Sequence, residues 1–385
     1  MNHRTMPLPW TLDTVPHAIL DILRGCNIRC RDCFNTRPAR VKPLREIEAE
    51  LAALLRRRRL QSLSLIGGEV TLHPQLTEII RLVKDHGLCV ELFTNGVGLV
   101  PSMLTELKRA GADVIFLHIE PQQQRPDLPA VHSSADLRAL RAAKTDLIAA
   151  HGIEAGLAVT VYPDRLEELE EAIAFTLESP RVHYLLATLW RDVAGLPPIR
   201  GDLETGLHAA PLEPRKDPLT NREVQRLLED KLQLTPFAFL ASNVDADDPR
   251  WLSYLIGTVH QREALRQRRC LRATPVEKTF LELSRRLTGR YPFYQRQNPA
   301  QFAVHLLLNG LAGGGLGANL NLLQQAFRSG AGLTTKRLLF QCPAMIDEQG
   351  RVIHCHCCPD AVVQDGRLVP VCIADRIVTE TVPNA

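Results

Sequence analysis

The stretch Leu23-Arg-Gly-Cys26-Asn-Ile-Arg-Cys30-Arg-Asp-Cys33 decides the fold, because it places three cysteines directly after a short apolar run at residues 18–23. The spacing is Cys-x3-Cys-x2-Cys, and three thiolates on one short loop can face a single iron–sulfur cube. Iron–sulfur clusters normally take four thiolates, so three local ligands leave one iron open to a non-protein ligand. Structural zinc is the competing metal, but it is closed by four ligands, and three unrelated buried thiols are the remaining alternative. The spacing favours the iron–sulfur cluster.

Apolar, strand-like runs alternate with helical patterns on both sides of this loop. The alternation predicts βαβ units and a parallel sheet, because parallel strands need crossover connections. Six repeats are too few for a closed eightfold barrel, so we expect an α/β fold built as an open, partial (β/α)6 barrel or as a doubly wound sheet. The predicted strands are residues 18–23, 62–66, 89–93, 114–119, 156–161 and 182–189, and the predicted helices are 44–60, 74–86, 101–110, 134–150 and 166–178.

Several glycine and polar residues fall at or just past the ends of these predicted strands. In parallel α/β folds the carboxyl edge of the sheet is where functional sites assemble. We therefore predict that the site lies at this edge. The candidate residues are Gly67, Gly68, Glu69, Thr94, Asn95, His118 and Glu120.

The second half of the chain has a different character. Helical patterns cover residues 221–234, 250–268, 276–287 and 301–311, so we predict a helical domain at 201–335 between a barrel at 1–200 and a cysteine-rich module at 336–385. No charged side chain occurs between Arg296 and Arg328. We interpret this stretch as a buried helix pair, with the wall of a substrate cavity as the alternative.

Five more cysteines crowd the last part of the chain, around two tight-turn signals at 347–350 and 364–367. A cysteine followed by a hairpin and further cysteines is a compact way to gather metal ligands. Spacing alone does not separate zinc from iron–sulfur here. The favoured ligand set is Cys342, Cys355, Cys358 and Cys372, in which Cys357 could replace either neighbour.

Composition narrows the classes of function. The 46 basic and 43 acidic residues give a net charge of only +3, and aromatic residues are 5% of the chain, which argues against nucleic-acid binding. No signal peptide or long apolar span is visible, so we expect a cytoplasmic protein without a membrane span. Arg56 to Arg59 are interpreted as a solvated helix end.

The loop of Cys26, Cys30 and Cys33, followed by Gly67-Gly68-Glu69 and by Thr94-Asn95-Gly96 at the next two strand ends, resembles the radical S-adenosylmethionine (radical SAM) superfamily. The resemblance covers about residues 15 to 195. It implies a [4Fe–4S] cluster on these three cysteines, which binds S-adenosylmethionine (SAM) through its open iron. One electron then cleaves the sulfonium, and the resulting radical removes a hydrogen atom from an unactivated carbon of the substrate.

The resemblance also assigns roles to the candidate residues. Gly67, Gly68 and Glu69 would hold the methionine ammonium, because a carboxylate and backbone carbonyls suit a cation. Contacts to the ribose or the carboxylate of SAM are expected from Thr94, Asn95, His118 and Glu120. The late cysteines resemble the SPASM and Twitch extensions of radical enzymes, which implies a second [4Fe–4S] cluster, with zinc as the alternative.

The expected substrate is a small molecule, a lipid or a peptide. Methylation and carbon–carbon bond formation are two reactions that the enzyme could perform on it. An electron donor such as a flavodoxin or a ferredoxin is also expected. A hypothesis from another class is a metal-binding assembly or interaction protein that performs no turnover.

Overall fold

The computed structural model describes residues 5–33, 35, 38–192, 195–212, 219–293, 296–328 and 332–378. In the first half of the chain the strands are β1 (Met6–Pro7), β2 (His17–Leu23), β3 (Arg29–Cys30), β4 (Ser62–Gly67), β5 (Cys89–Thr94), β6 (Val114–His118), β7 (Gln123–Gln124), β8 (Glu154–Val161) and β9 (Val182–Leu189). The helices there are α1 (Leu44–Arg57), α2 (Leu76–Asp85), α3 (Pro101–Ala110), α4 (Ser134–Ala150) and α5 (Leu166–Glu178).

In the second half the strands are β10 (Ile199–Asp202), β11 (Gly206–Ala209), β12 (Ala238–Ala241), β13 (Pro249–Gln261), β14 (Ala264–Leu271), β15 (Gly332–Gln341), β16 (Met345–Ile346), β17 (Val352–Ile353), β18 (Ala361–Gln364) and β19 (Arg367–Pro370). The helices are α6 (Asn221–Leu232), α7 (Pro275–Thr288), α8 (Pro299–Asn309) and α9 (Leu316–Arg328). None of the helices in the described ranges is long and apolar enough to span a bilayer.

Six parallel strands form one side of the main sheet, in the order β2-β4-β5-β6-β8-β9, with β2 at the edge. Every neighbouring pair is parallel, and a helix lies between the paired strands in the sequence. Because the spatial order follows the chain order, the sheet lacks the reversal point of a doubly wound fold. The prediction of a partial (β/α)6 barrel is therefore confirmed.

The sheet continues beyond this barrel into the second half of the chain. Strand β15 pairs with β9 in parallel, β13 pairs antiparallel with β15, and β12 and β1 follow at the far edge. The predicted helical segment thus contains both helices, α6 to α9, and strands of the main sheet. Strand β15 runs across residue 335, where the second predicted boundary falls. The division of the chain into three parts at 200 and 335 stays a prediction.

The helix predicted at 250–268 is wrong, because this segment forms the antiparallel hairpin of β13 and β14. Arg262 and Glu263 form its turn, with φ of 49° and 66°. Strand β13 is apolar on both faces and buried along almost its whole length. Periodicity alone does not distinguish such a run from a buried helix.

Helices α8 and α9 pack on β13 and β15 and close a second, smaller core. Leu255, Val259, Phe302, Leu306 and Leu322 are among its buried residues. The interpretation of this uncharged stretch as a buried helix pair is therefore correct for one face of the two helices. Their opposite face is exposed to solvent.

Two small hairpins, β16-β17 and β18-β19, follow the main sheet. Both predicted turns are present, with Gly350 at φ 77° and Gly366 at φ 75°, where glycine is favoured. Strand β18 packs against β2, so the cysteine-rich module lies directly on the barrel.

Candidate functional site

The cysteine loop is held against the second strand of the barrel by backbone hydrogen bonds. Gly68 N–H donates to the Leu23 carbonyl at 2.6 Å, and Glu69 N–H donates to the Gly25 carbonyl at 2.9 Å. A Cβ atom on Gly68 would lie 2.2 Å from the Gly25 oxygen, and one on Gly67 would overlap the Leu23 carbonyl. Glycine is thus required at 67 and 68, because the chain that leads to Cys26 passes directly against them.

Glu69 organises the carboxyl ends of β4 and β5. Its side chain is fully buried. One carboxylate oxygen accepts from the Thr94 hydroxyl at 2.6 Å and the Thr71 hydroxyl at 2.7 Å, and the other accepts from Asn95 N–H at 2.7 Å. These contacts satisfy the buried carboxylate. Its role within the chain is to tie the two strand ends together.

Asn95 connects this edge to the first cysteine. Its side-chain amide donates to the Asn27 carbonyl oxygen at 2.7 Å and approaches the Cys26 sulfur at 3.8 Å. The predicted residues Thr94 and Asn95 therefore lie beside the cysteine loop, and Asn27 joins them as a residue that the sequence did not single out.

The other side of the loop is paired with the segment after β6. Strand β3 pairs antiparallel with β7, which places Cys30 opposite Gln123. Arg31 lies over the ring of Tyr162, 5.1 Å from its centroid, and the Tyr162 hydroxyl donates to the Arg31 carbonyl at 3.3 Å. Contacts from β4, β5, the β6–β7 segment and the end of β8 thus enclose one loop.

His118 and Glu120 form an ion pair at this edge, with 3.1 Å between the His118 Nε2 and a Glu120 oxygen. Burial acts to lower the pKa of His118, but the Glu120 carboxylate and a hydrogen bond with the Cys30 thiol outweigh it and raise the pKa well above its ordinary value. Both partners thus favour the protonated form of the imidazole beside the cysteine loop. The structure places both residues where the sequence predicted them.

Arg125 is a buried residue of this edge that sequence reasoning missed. Its side chain donates to the Asn95 carbonyl at 2.9 Å and the Gln123 side chain at 2.8 Å, and it pairs with Asp127 at 2.6 Å. It links the end of β5 to β7 through a charged group. The only signal in the sequence is its place shortly after a strand.

The three N-terminal thiols are free, and two of them are open to solvent. Cys26 and Cys33 are exposed, and Cys30 is partly exposed. Although Cys33 is exposed, partial shielding of its thiol from water raises its pKa, and the neighbouring Cys30 and Cys26 thiols raise it further. In the part of the chain that the structure describes, no group of three or more His, Cys, Asp or Glu side chains is arranged to hold a metal ion. What fits a cluster is the donor set itself, three free thiols on one short loop.

The C-terminal cysteines lie in a different environment. Cys342, Cys355, Cys357 and Cys358 are 7% exposed or less, and Cys372 is partly exposed. A hydrogen bond with Cys355, together with burial, raises the pKa of Cys358 well above its ordinary value. Cys357 instead donates to the Trp10 carbonyl at 3.2 Å, so its sulfur is already engaged with the N-terminal segment.

Three arginines surround these buried thiols. Arg191 donates to the Cys342 sulfur at 2.8 Å. Burial acts to lower the pKa of Arg250, but the Cys342 and Cys355 thiols raise it above its ordinary value. Neither arginine was singled out in the sequence, where Arg191 lies just past a predicted strand and Arg250 begins the helix predicted at 250–268.

The interpretation of residues 56–59 as a solvated helix end is wrong for Arg58. Its residue is 2% exposed, and its guanidinium donates to the carbonyls of Cys358 at 2.8 Å, His17 at 3.1 Å and Pro359 at 3.3 Å. Burial lowers its pKa to about 10. The C-terminal module covers this arginine, which residues near it in the sequence could not show.

Comparison with known proteins agrees with this arrangement of strands and cysteines. Residues 20–176 match the model of the Radical SAM superfamily. This range holds the cysteine loop, five strands of the parallel core (β2 from residue 20 onward, β4, β5, β6 and β8) and most of α5. The chain therefore carries a radical SAM domain. The radical SAM family implies a [4Fe–4S] cluster and SAM as cofactors of such a domain.

Relatives of the radical SAM domain include proteins of different named activities. The PqqA peptide cyclase of Ruegeria pomeroyi is 30% identical over 177 residues, which cover 43% of this chain and 46% of the cyclase. The tungsten-containing aldehyde ferredoxin oxidoreductase cofactor-modifying protein of Pyrococcus furiosus is 29% identical over 108 residues, which cover 27% of this chain and 30% of that protein. The chain thus spans less than half the length of these relatives.

Among solved structures, anSMEcpe with bound AdoMet aligns at 15% identity with a TM-score of 0.40. The alignment covers 56% of this chain and 58% of that one.

Proposed function

We propose that this radical SAM enzyme holds a [4Fe–4S] cluster on Cys26, Cys30 and Cys33. In the proposed reaction, the bound cluster and SAM supply a one-electron cleavage whose radical product removes hydrogen from an unactivated carbon. The observation that carries the proposal is the loop itself. Three free thiols lie at the carboxyl edge of a parallel sheet, where four neighbouring segments hold the loop in place.

The proposed SAM site lies along the same edge. Gly67, Gly68 and Glu69 would receive the methionine ammonium, and the burial of Glu69 supports a role in shaping the backbone there. Contacts to the ribose or carboxylate are proposed for the neighbouring polar residues. These are Thr94, Asn95, His118 and Glu120, which the structure joins to the cysteine loop through hydrogen bonds and one ion pair.

A second metal site is proposed in the C-terminal module, with a [4Fe–4S] cluster or zinc held by Cys342, Cys355, Cys358 and Cys372. The engagement of Cys357 with the Trp10 carbonyl supports leaving Cys357 out of this set. The buried arginines nearby support a metal site in this module, because cations stabilise thiolates in a low-dielectric interior.

The substrate is proposed to be a small molecule, a lipid or a peptide, and a flavodoxin or ferredoxin is the proposed electron donor. Exposure of Cys26 and Cys33 supports access to the loop for both partners. The named activities of the relatives differ, so the family alone leaves this choice open.

Anaerobic reconstitution with iron and sulfide tests the proposal. We expect about eight iron and eight sulfide per chain, and release of 5′-deoxyadenosine from SAM on reduction. Cys30→Ala should lower that release at least about a thousandfold, because the cluster loses a ligand, while the C-terminal metal remains.

Cys89→Ala is the matched control, since Cys89 is a lone thiol on β5 away from the loop. It should leave both metal content and SAM cleavage unchanged. Zinc without sulfide in both sites, with no 5′-deoxyadenosine, would instead support the non-catalytic metal-binding assembly. Full cleavage by Cys30→Ala would refute the ligand assignment.

A further inference from the structure

Helices α7, α8 and α9 leave an unusual number of apolar side chains in solvent. Of the fifteen large hydrophobic side chains that are exposed among the described residues, ten lie between Phe280 and Phe327. Leu287 is 76% exposed, Leu311 71% and Phe327 91%. Single exposed hydrophobic residues are ordinary, but a cluster of this size marks an interaction surface.

The pattern on α8 shows that this exposure belongs to a regular helix face. Phe302 and Leu306 point into the small core. Val304, Leu307 and Leu308 are exposed, at the i, i+3 and i+4 spacing of a second stripe on the other side of the helix. A helix that covers a core normally presents polar residues to water on that second face.

Basic residues flank this apolar face. Residues 264–328 contain ten Lys and Arg side chains and two acidic ones, whereas the whole chain has 46 basic and 43 acidic residues. Glu277 does not offset this charge at the surface, because it is buried against His305 and Asn309. Glu282 pairs with Arg285 at 2.6 Å and lies 3.7 Å from Arg286, so it offsets one of the ten basic charges.

The exposed members of this basic set lie on both sides of the uncharged stretch. Arg286 precedes it on α7, while Arg296 and Arg328 bound it in the sequence, and all three side chains are exposed. This part of the chain therefore combines exposed leucine and phenylalanine side chains with exposed arginines before and after them in the sequence.

We infer that the outward face of α7–α9 docks on an anionic lipid bilayer. The leucine and phenylalanine side chains enter the boundary between headgroups and acyl chains, and the arginines contact the phosphates. Helix α8 has 11 residues and is about 16 Å long, which is too short to cross a hydrocarbon core of about 30 Å. The helices therefore lie along the membrane surface.

Charge favours a bilayer over a second copy of the chain as the occupant. A symmetric dimer through this face would bring two copies of the same basic set together, and like charges across an interface oppose association. An anionic bilayer offers an apolar layer and negative charge in the same arrangement.

Sedimentation of the full, anaerobically purified chain with phosphatidylglycerol-containing vesicles tests the inference. The wild-type chain should bind these vesicles, bind phosphatidylcholine vesicles at least about tenfold more weakly, and be released by salt. The double variant Leu311→Glu, Phe327→Glu should lower binding at least about tenfold, because both side chains are already in solvent and their replacement leaves the core intact.

Arg286→Glu should weaken vesicle binding about fivefold or more, whereas Arg81→Glu, an equal charge change at an exposed position on α2, should have a smaller effect. Absence of wild-type binding, or unchanged binding by the double variant, would overturn the inference. So would a doubled mass in light scattering that the double variant reduces to one chain, since the face would then be a dimer interface. SAM cleavage serves as a separate readout that these variants should leave unchanged.

Discussion

The two cysteine-rich segments differ in how their thiols meet solvent and in what holds them. In the N-terminal loop, Cys26 and Cys33 are exposed, and the loop is fixed by backbone hydrogen bonds to the Gly67–Glu69 turn. In the C-terminal module, four of the five cysteines are buried.

Side chains from distant strands and helices hold the C-terminal module, above all Arg58, Arg191 and Arg250. An exposed loop suits a metal that must leave one position open to a small molecule. A buried set suits a metal that is closed to solvent. We thus propose that the same residue type serves different chemistry in the two segments, because its surroundings differ.

Alkylation of the metal-free protein would show this difference most strongly. We expect iodoacetamide to modify Cys26 at least about a hundredfold faster than Cys358, because Cys358 is buried and its pKa is raised well above the ordinary thiol value. Mass spectrometry of timed samples measures both rates. In guanidinium chloride the two rates should become similar, and similar rates in the folded protein would remove the proposed distinction.

Gly68→Ala tests whether close backbone packing holds the N-terminal loop. The added methyl group would overlap the Gly25 carbonyl, so we expect the free energy of unfolding to fall by about 2–4 kcal/mol and SAM cleavage to fall sharply. Chemical denaturation and 5′-deoxyadenosine release measure the two effects. Gly317→Ala on α9 is the control, since no heavy atom lies within 4 Å of its added carbon, and it should be neutral.

Arg58→Met tests whether charged side chains hold the C-terminal module. The variant removes the donor for three buried carbonyls, so we expect a loss of about 2–3 kcal/mol in the free energy of unfolding and less metal in that module. Arg59→Met changes the neighbouring exposed arginine and should stay within about 0.5 kcal/mol of wild type. Equal effects from both variants would contradict the role of Arg58.

Sequence reasoning predicted the parallel core well, because its signals are local. Each of the six strands was predicted within about two residues of its observed bounds, and Gly67-Gly68-Glu69 does follow the second of them. It failed at residues 250–268, where an apolar run of suitable length for a helix forms a hairpin. Pairing with β15 decides that case, and the partner strand lies some seventy residues further along the chain.

The candidate site was predicted only in part for a similar reason. The spacing of Cys26, Cys30 and Cys33 requires no knowledge of distant residues. Arg125, Arg191 and Arg250 became visible only in the structure, because an arginine is ordinarily a surface residue and only its neighbours in space show that it is buried.

By itself, then, the sequence determined the cysteine loop, the alternation of strands and helices and the edge at which the site lies, because these depend on residues close together in the chain. Only the tertiary structure decided which thiols are exposed, which arginines lie beside the buried ones, and which face of α7–α9 remains in water. Those properties depend on which distant segments pack against each residue, and burial and electrostatic environment are set by that packing.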